Sequence, residues 1–438
     1  MTDTPAPQDF ANRRRQVAQR IGADGIAVIA AAPERVRNRD VFHPYRQDSD
    51  FLYLTGVSES DMVLVIAPGS DHGDTLLFCR EAEAREALYD GMRITPDEAP
   101  TRLGVDAGFD LEDLDLVLPQ LLAGRDCLHY PIGSELDRHI PDWTARRRAG
   151  ANFGAPIAGR IADLGALLHE MRLRKDAAEI ERMRAAARIN AEGHRRAMAT
   201  AAPGVTELRL EAELRYAWTC AGARECAYPP IVAAGANACV MHYHGGAGTL
   251  ADGDLVLIDA GPEFDGYASD VTRTFPVNGR FTAEQRALYE VVLAAQRAAI
   301  AAARPGQDFD APQRAAGEQL VDGLIALGVL EGDPVELLRK QAHMPWAIHR
   351  VSHWLGLDVH DVGDYSDGSN FRQLEPGMVL TIEPGLYFPA SPDAPPGLCG
   401  TGIRIEDDIL ITADGNEVLS AAIPTAPDAI EQWVQGHE

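Results

Sequence analysis

The stretch LVLIDAGPEFDGYASDVTRTFPV, residues 255–277, contains two apolar segments that each meet an acidic residue. Leu255–Ile258 is a continuous apolar run that follows the Asp-Gly-Asp turn at 252–254, which predicts a buried strand ending at Asp259. Asp270 stands in the same way at the edge of the next apolar segment. A carboxylate at the end of a buried strand loses hydration, which costs free energy unless a cation or a hydrogen-bond donor meets it.

Two later segments repeat this arrangement of an acid at a strand edge. Thr381–Gly385 (TIEPG) contains Glu383, and Gly402–Asp407 (GIRIED) contains Glu406. One such acid is ordinarily a capped or solvent-facing residue. Four of them in one half of the chain, beside a group of histidines, favour a shared site.

Six of the 13 histidines fall within residues 242–360, most densely in the segment HRVSHWLGLDVHD. His349 and His353 have the i, i+4 spacing of a helical zinc pair, but the glutamate that a zincin needs after the first histidine is replaced by arginine. The histidine-rich segment is better explained as an extended chain than as a helix, because Gly356 would weaken a helix. His353 and His360 point to opposite faces of a flat strand. Both reach one site only if the chain bends near Gly356.

The chemistry of these side chains favours a divalent cation. Carboxylates with one imidazole and no thiolate form a hard-to-borderline ligand set, which suits Mn²⁺, Co²⁺, Fe²⁺ or Zn²⁺ better than copper. Two cations roughly 3.5–4 Å apart need bridging carboxylates, and this half of the chain has enough acids to supply them. The residue types therefore predict a metal-assisted hydrolase without naming its substrate.

The chain divides into an α/β part and an α+β part. Residues 1–165 contain short apolar runs that predict strands, at Gly25–Ala31, Phe51–Leu54, Val63–Ala67 and Thr75–Phe78. Arg80–Arg85 is typical of a solvated helix face. From Lys175 to Met198 a helical period takes over, and turns and strands follow from residue 228. We place the boundary near residue 170, which gives domains 1–170 and 171–438.

The composition limits the partners and the compartment. The 438 residues include 66 acidic and 40 basic side chains, a net charge of −26 that repels nucleic acid and anionic membranes and excludes both as expected partners. No apolar run approaches the roughly 20 residues that a membrane span needs. The first ten residues are polar, and the six cysteines include no CxxC pair. These features predict a cytoplasmic protein with reduced thiols.

The order and surroundings of the acids and the histidine resemble the five-ligand signature of the pita-bread metallopeptidases. The matching segments are LIDAG, SDVTRTF, HWLGLDVHDVG, TIEPG and GIRIEDD, which contain Asp259, Asp270, His353, Glu383 and Glu406. Within that family, residues 45–56 (YRQDSDFLYLTG) and 402–408 resemble aminopeptidase P. The resemblance implies a creatinase/aminopeptidase P-like α/β domain over 1–170 and an α+β pita-bread catalytic domain over 171–438.

The resemblance also implies two divalent metal ions, with Mn²⁺ as the first choice and Co²⁺, Zn²⁺ or Fe²⁺ as alternatives. Asp259 then chelates one ion, and Asp270 and Glu406 bridge both. His353 and Glu383 complete the second ion.

Further residues match positions of the family that do not bind metal. Three match active-site histidines that contact substrate and intermediate, namely His242, His349 and His360. Glu383, in addition to its place in the ligand set, is a candidate for moving a proton to the leaving nitrogen, and Arg404 matches a residue that pairs with an acid. Three more match substrate-binding positions, namely Tyr228, Val359 and Tyr387.

The implied reaction is hydrolytic release of the N-terminal residue from peptides with proline in the second position. The resemblance also implies a homo-oligomer, either a dimer or a tetramer. Two alternatives stay open. An Xaa-Pro dipeptidase (prolidase) shares all five ligands, and a catalytically inactive pita-bread domain that acts as a binding module shares the fold.

Overall fold

The structure is a computed structural model, and it describes residues 7–81, 87–150, 159–391, 394–395 and 397–436. The chain divides into two compact units, Met1–Met171 and Arg172–Glu438. Among the described residues, no helix is long and apolar enough to cross a membrane.

The N-terminal unit is built on one six-stranded sheet with helices between the strands. Its elements are α1 (Pro7–Ile21), β1 (Gly25–Ala30), β2 (Val36–Asn38), β3 (Val41–Phe42), α2 (Ser49–Thr55), β4 (Met62–Ile66), β5 (Thr75–Cys79), α3 (Ala87–Asp90), α4 (Ala99–Leu103), β6 (Ala107–Asp110), α5 (Leu114–Leu121), β7 (Cys127–Tyr130), α6 (Ile140–Gly150), β8 (Arg160–Asp163) and α7 (Gly165–Leu173), whose last two residues belong to the second unit. The sheet order is β6-β5-β4-β1-β7-β8. The central pairs β1–β4 and β4–β5 are antiparallel, and the outer pairs are parallel.

One predicted strand of this unit is wrong. Phe51–Leu54 lies inside helix α2, because the Asp48 side chain accepts a hydrogen bond from the Phe51 backbone N–H and caps the helix. Gly56 ends the helix in the left-handed conformation, with a φ of 70°. A run of four apolar residues is compatible with the period of a helix and with that of a strand. The capping residues Asp48 and Gly56 therefore decide between the two. Most of the predicted helix face Arg80–Arg85 lies outside the described residues.

The C-terminal unit combines long helices with small antiparallel sheets. Its elements are α8 (Ala177–Thr200), α9 (Glu207–Cys220), β9 (Glu225–Cys226), β10 (Ile231–Ala234), β11 (Leu255–Ala260), β12 (Pro262–Phe264), β13 (Tyr267–Ala268), β14 (Val271–Pro276), α10 (Ala283–Ala302), α11 (Ala311–Ala326), α12 (Pro334–Arg339), β15 (Val379–Ile382), β16 (Gly385–Phe388), β17 (Thr401–Arg404), β18 (Asp407–Ile411), β19 (Asn416–Val418) and α13 (Pro427–Val434). Helix α8 begins with a capping box in which Asp176 and Glu179 satisfy each other's backbone N–H.

The sheets of the C-terminal unit are short, and the acidic residues lie at their ends. The sheet orders are β10-β11-β14, β13-β12-β9, β15-β18-β19 and β16-β17. Every residue of β14, β15, β16 and β18 is buried. The largest apolar cluster packs α10 and α11 against β15, β16 and β18. This core leaves the strand ends as the places where polar side chains converge.

Candidate active site

Strand pairing brings the four predicted acids to one place. Asp259 lies in β11 directly opposite Thr272 of β14, and Asp270 immediately precedes β14. Glu383 occupies the corner between β15 and β16, and Glu406 the corner between β17 and β18. Each acid therefore stands where a buried strand begins or ends.

The histidine segment runs as an extra strand-like stretch beside β15. The backbone N–H of Glu383 donates to the carbonyl of Val351 at 2.8 Å, and that of Thr381 donates to the carbonyl of His353 at 2.9 Å. This pairing holds the His353 ring against Glu383, with Nε2 at 3.6 Å from Oε1. The same nitrogen lies 3.4 Å from Oδ2 of Asp270.

Three of the predicted ligands form a group of the size that one cation needs. Asp270, His353 and Glu406 each offer a ligand atom, and these atoms lie within 4.8 Å of one another. His353 Nδ1 lies 2.9 Å from the carbonyl oxygen of Trp354. A donor at Nδ1 leaves the Nε2 lone pair facing the carboxylates, which is the tautomer that a metal ligand requires.

Asp259 is tied to this group through two other side chains. The Tyr228 hydroxyl lies 2.6 Å from Oδ1 of Asp259 and also hydrogen-bonds Asp270. Arg404 donates from Nη2 to Oδ2 of Asp259 and from Nε to the Thr272 hydroxyl. Because a phenol carries one proton, Tyr228 can donate to only one of the two carboxylates at a time.

The acids repel one another in a buried place. Burial raises the pKa of Glu383 to about 7, and His353 and Arg404 oppose that shift. Burial also raises the pKa of Asp259, and burial together with the charge of Asp270 raises the pKa of Glu406 well above its usual range. Such a concentration of carboxylates is stabilised when divalent cations replace the protons, so the residues present fit a metal centre.

The imidazole of His353 responds to the acids around it. Burial alone would lower the pKa of His353, but the hydrogen bond to Asp270 and the charge of Glu383 raise it to about 9. A metal ligand must be the neutral imidazole, so a cation has to displace this proton as well.

The predicted bend brings His360 back to His353. The backbone N–H of Asp361 donates to the Trp354 carbonyl at 2.9 Å, which closes a loop between the two histidines. The two rings then meet edge to face, with centroids 4.4 Å apart. Burial lowers the pKa of His360, so its ring is neutral at neutral pH.

His349 and Tyr387 form a second pair on the opposite wall. His349 Nε2 lies 2.8 Å from the Tyr387 hydroxyl, and Arg404 Nη1 donates to the same hydroxyl at 2.7 Å. Burial, with the nearby charge of Arg404, lowers the pKa of His349 to about 4. The neutral ring therefore donates from Nδ1 to the Arg350 carbonyl at 2.8 Å and accepts the Tyr387 hydroxyl at Nε2.

These groups open into a cavity of about 510 Å³. Apart from Tyr387, every site residue predicted from the sequence lines it. Tyr387 lies behind the wall, fully buried, and reaches the cavity only through His349 and Arg404. The lining also includes residues that the sequence did not single out, namely Pro229, Ile231, Met241, His244 and Arg350.

Asp408 is a site residue that the sequence analysis missed. Its carboxylate accepts the Ser269 hydroxyl at 2.8 Å and the backbone N–H of Asp270 at 3.1 Å, so it holds the turn before β14. Asp408 follows Glu406 by two positions, and the period of a strand could have indicated a shared face.

The comparisons with known proteins agree with this geometry. Residues 181–413 match the model of metallopeptidase family M24, and residues 10–129 match that of the aminopeptidase P N-terminal domain. The Xaa-Pro aminopeptidase of Escherichia coli is 42% identical over 427 residues, which cover 97% of each chain.

Solved structures superpose over nearly the whole chain. Aminopeptidase PepP of Pseudomonas aeruginosa is 44% identical with a TM-score of 0.97, over 100% of this chain and 99% of that one. A zinc-substituted aminopeptidase P of E. coli in complex with product is 40% identical with a TM-score of 0.95, over 99% of each chain. The predicted fold, an α/β domain followed by an α+β pita-bread domain, is confirmed. The chain belongs to metallopeptidase family M24, with the N-terminal domain of the aminopeptidases P.

Proposed function

We propose that the protein is an Xaa-Pro aminopeptidase that works with two divalent cations. The observation that carries the proposal is the convergence of four acids and one histidine in a cavity of about 510 Å³, beside His349 and His360, whose pKa values burial lowers. Relatives and solved neighbours that share nearly the full length of the chain bear the names Xaa-Pro aminopeptidase and aminopeptidase P.

The ligand assignment is part of the proposal. Asp259 would hold one cation, Asp270 and Glu406 would hold both, and His353 with Glu383 would hold the second. The cluster of Asp270, His353 and Glu406 supports this assignment, because it is already compact. Bound cations activate the attacking water and polarise the scissile carbonyl. We propose Mn²⁺ as the metal in the cell, with Co²⁺, Zn²⁺ or Fe²⁺ as alternatives.

The remaining side chains, and Glu383 in a second role beside metal binding, handle protons and the substrate. Glu383 lines the cavity, with its Oε1 3.6 Å from His353 Nε2, and is the candidate for carrying a proton to the leaving nitrogen. His360 faces the scissile carbonyl and stabilises the negative charge that develops on its oxygen. The substrate walls are formed by His242, His349, Tyr228, Val359 and Arg404, with Tyr387 behind them.

A second cavity supports peptides longer than a dipeptide. It measures about 420 Å³ and shares Arg350, His353 and Glu383 with the first cavity, while Phe309, Tyr365 and Phe371 supply aromatic walls. Space beyond the metal ligands favours Xaa-Pro-Yaa substrates over Xaa-Pro, which argues for the aminopeptidase over the dipeptidase. A panel of Xaa-Pro, Xaa-Pro-Yaa and Xaa-Ala-Yaa peptides, assayed with Mn²⁺, tests this choice.

A catalytically inactive domain that acts as a binding module is the less favoured hypothesis. All four acids and the histidine of the predicted ligand set are present in this chain. Metal content and peptidase activity of the purified protein separate the two alternatives. A homo-oligomer, dimer or tetramer, and a cytoplasmic location are also proposals, and sedimentation of the purified protein tests the first of them.

A further inference from the structure

A buried ion cluster lies behind the loop that carries His360. The Asp361 carboxylate receives Lys175 Nζ at 2.9 Å on one oxygen and Arg172 Nη2 at 2.6 Å on the other. Arg172 also donates to Asp358 at 2.7 Å. The side chains of Lys175, Arg172 and Asp361 are each exposed by 3% or less.

Lysine is rare in this chain, and the Lys175 side chain is closely packed. Only Lys175 and Lys340 are lysines among 40 basic residues, so arginine is the ordinary cation here. A methyl group added to Gly356 would lie 2.9 Å from Cε of Lys175 and 2.1 Å from Oδ2 of Asp361. Lys175 and Asp361 therefore pack directly against the Gly356 backbone, which leaves no room for a side chain at position 356.

The cluster holds the ends of the loop between the two histidines. Asp361 follows His360 directly, and its backbone N–H donates to the Trp354 carbonyl. The backbone N–H of Gly356 donates to the Asp358 carbonyl at 3.1 Å, which tightens the loop from inside. Burial would raise the pKa of Asp361, but Lys175 and Arg172 hold it below its usual range, so the carboxylate is charged.

We propose that Lys175, Arg172 and Asp361 are positioning residues that fix His360 in the wall of the active site. The inference rests on the function proposed above and assigns no substrate contact to the three residues. Burying three charges costs free energy that apolar side chains would not cost, whereas directed ion pairs hold one loop geometry. A shift of about 1 Å in a positioned group lowers the rate by about 10²-fold.

If Lys175 acts by positioning His360, the effects of substituting the two residues on kcat should not be additive. A general loss of stability would lower kcat whether or not His360 is present. The variants are Lys175→Met, which keeps the approximate length and removes the charge, and Lys175→Arg, which keeps the charge and enlarges the group that contacts Asp361. Each is assayed on an Xaa-Pro-Yaa peptide with Mn²⁺, in the wild type and in a His360→Ala background. We expect kcat to fall about 10- to 100-fold in the wild type and less than about threefold in the His360→Ala background, with KM and metal content retained.

The matched control is Arg184→Met on helix α8, which removes the cation from the ion pair with Glu417 of strand β19. It should leave kcat within about twofold in both backgrounds. Equal losses for a Lys175 variant in both backgrounds, or loss of metal, would overturn the proposal. If Lys175→Met does not fold, Lys175→Arg decides in the same way. A wild type that cleaves no Xaa-Pro-Yaa peptide would overturn the proposed function itself, which is a different result.

Discussion

At the scale of single residues, Asp270 has the most demanding of the proposed roles, because its one carboxylate is proposed to bind two cations. Asp270→Asn keeps the shape of the side chain and removes its charge. We expect the variant to lose tight binding of both metals and all measurable activity. Elemental analysis of the dialysed protein and a peptide assay check this. Two tightly held metals with near-normal turnover would contradict the bridging role.

The histidines are proposed to have two different roles, metal binding and contact with the substrate. Alanine variants should distinguish the two roles. His360→Ala and His242→Ala should keep the metals and lose about 10²–10³ in kcat, the usual cost of one contact to the transition state. His353→Ala should lose metal first, because its Nε2 faces Asp270 at 3.4 Å. Metal content measured beside kcat gives the answer. Loss of metal in His360→Ala would mean that ligand and catalytic roles are exchanged.

The raised pKa values at the site predict a pH-dependent metal affinity. A cation must displace the proton of Glu383, whose pKa is about 7, and that of His353, whose pKa is about 9. Protonation of either group opposes binding, so affinity should rise with pH from about 6 to about 9, and more steeply below pH 7. Titration of the metal-free protein with Mn²⁺ measures this. In His353→Ala the total rise in affinity between about pH 6 and about pH 9 should be smaller, because one proton fewer has to be displaced, and an unchanged total rise would argue against the histidine as a ligand.

At the scale of elements, the start of helix α9 controls the segment that carries His242. The Glu207 carboxylate is fully buried and receives the Ala234 N–H, the Asn237 amide, the Tyr243 hydroxyl and the Gly248 N–H, each at 2.9 Å. These four donors tie both ends of the segment to the helix. A carboxylate also suits a helix N-terminus.

Glu207→Gln replaces one acceptor oxygen by a donor that faces other donors. We expect a loss of about 1–3 kcal/mol in the free energy of unfolding. A fall in kcat should accompany it, because His242 loses its support. Chemical denaturation and peptide kinetics measure the two effects. Glu211→Gln on the same helix removes only a partner of Arg215 near the surface and should be nearly neutral.

At the scale of the whole molecule, specificity is the property that the family alone leaves undecided. We expect cleavage of Xaa-Pro-Yaa to exceed cleavage of both Xaa-Pro and Xaa-Ala-Yaa. The proline ring fills an apolar surface worth about 1–3 kcal/mol, so kcat/KM should favour proline over alanine by about 10–200-fold. Faster cleavage of Xaa-Pro than of Xaa-Pro-Yaa would favour the dipeptidase. Equal cleavage of the proline and alanine tripeptides would indicate a broader aminopeptidase.

The sequence by itself determined the chemistry and the fold class. Residues such as Asp259 and Glu406 stand out because an acid at the end of an apolar strand is costly without a partner, and this signal is local. The long helix α8, predicted from Lys175 to Met198, was equally visible, because its apolar period extends over many turns. Phe51–Leu54 was misassigned, since four residues carry no period and the caps at Asp48 and Gly56 decide.

Only the tertiary structure decided which residues support the acids and histidines. The pairing of Lys175 with Asp361 spans 186 positions, and that of Thr272 with Glu406 spans 134. No periodic pattern links partners so far apart, because their contact follows from the packing of whole sheets and helices. The position of Tyr387 behind His349 was decided in the same way. The chemistry of each side chain can be predicted from the local sequence. The partners that orient it come from distant segments, which are brought together by burial of the core.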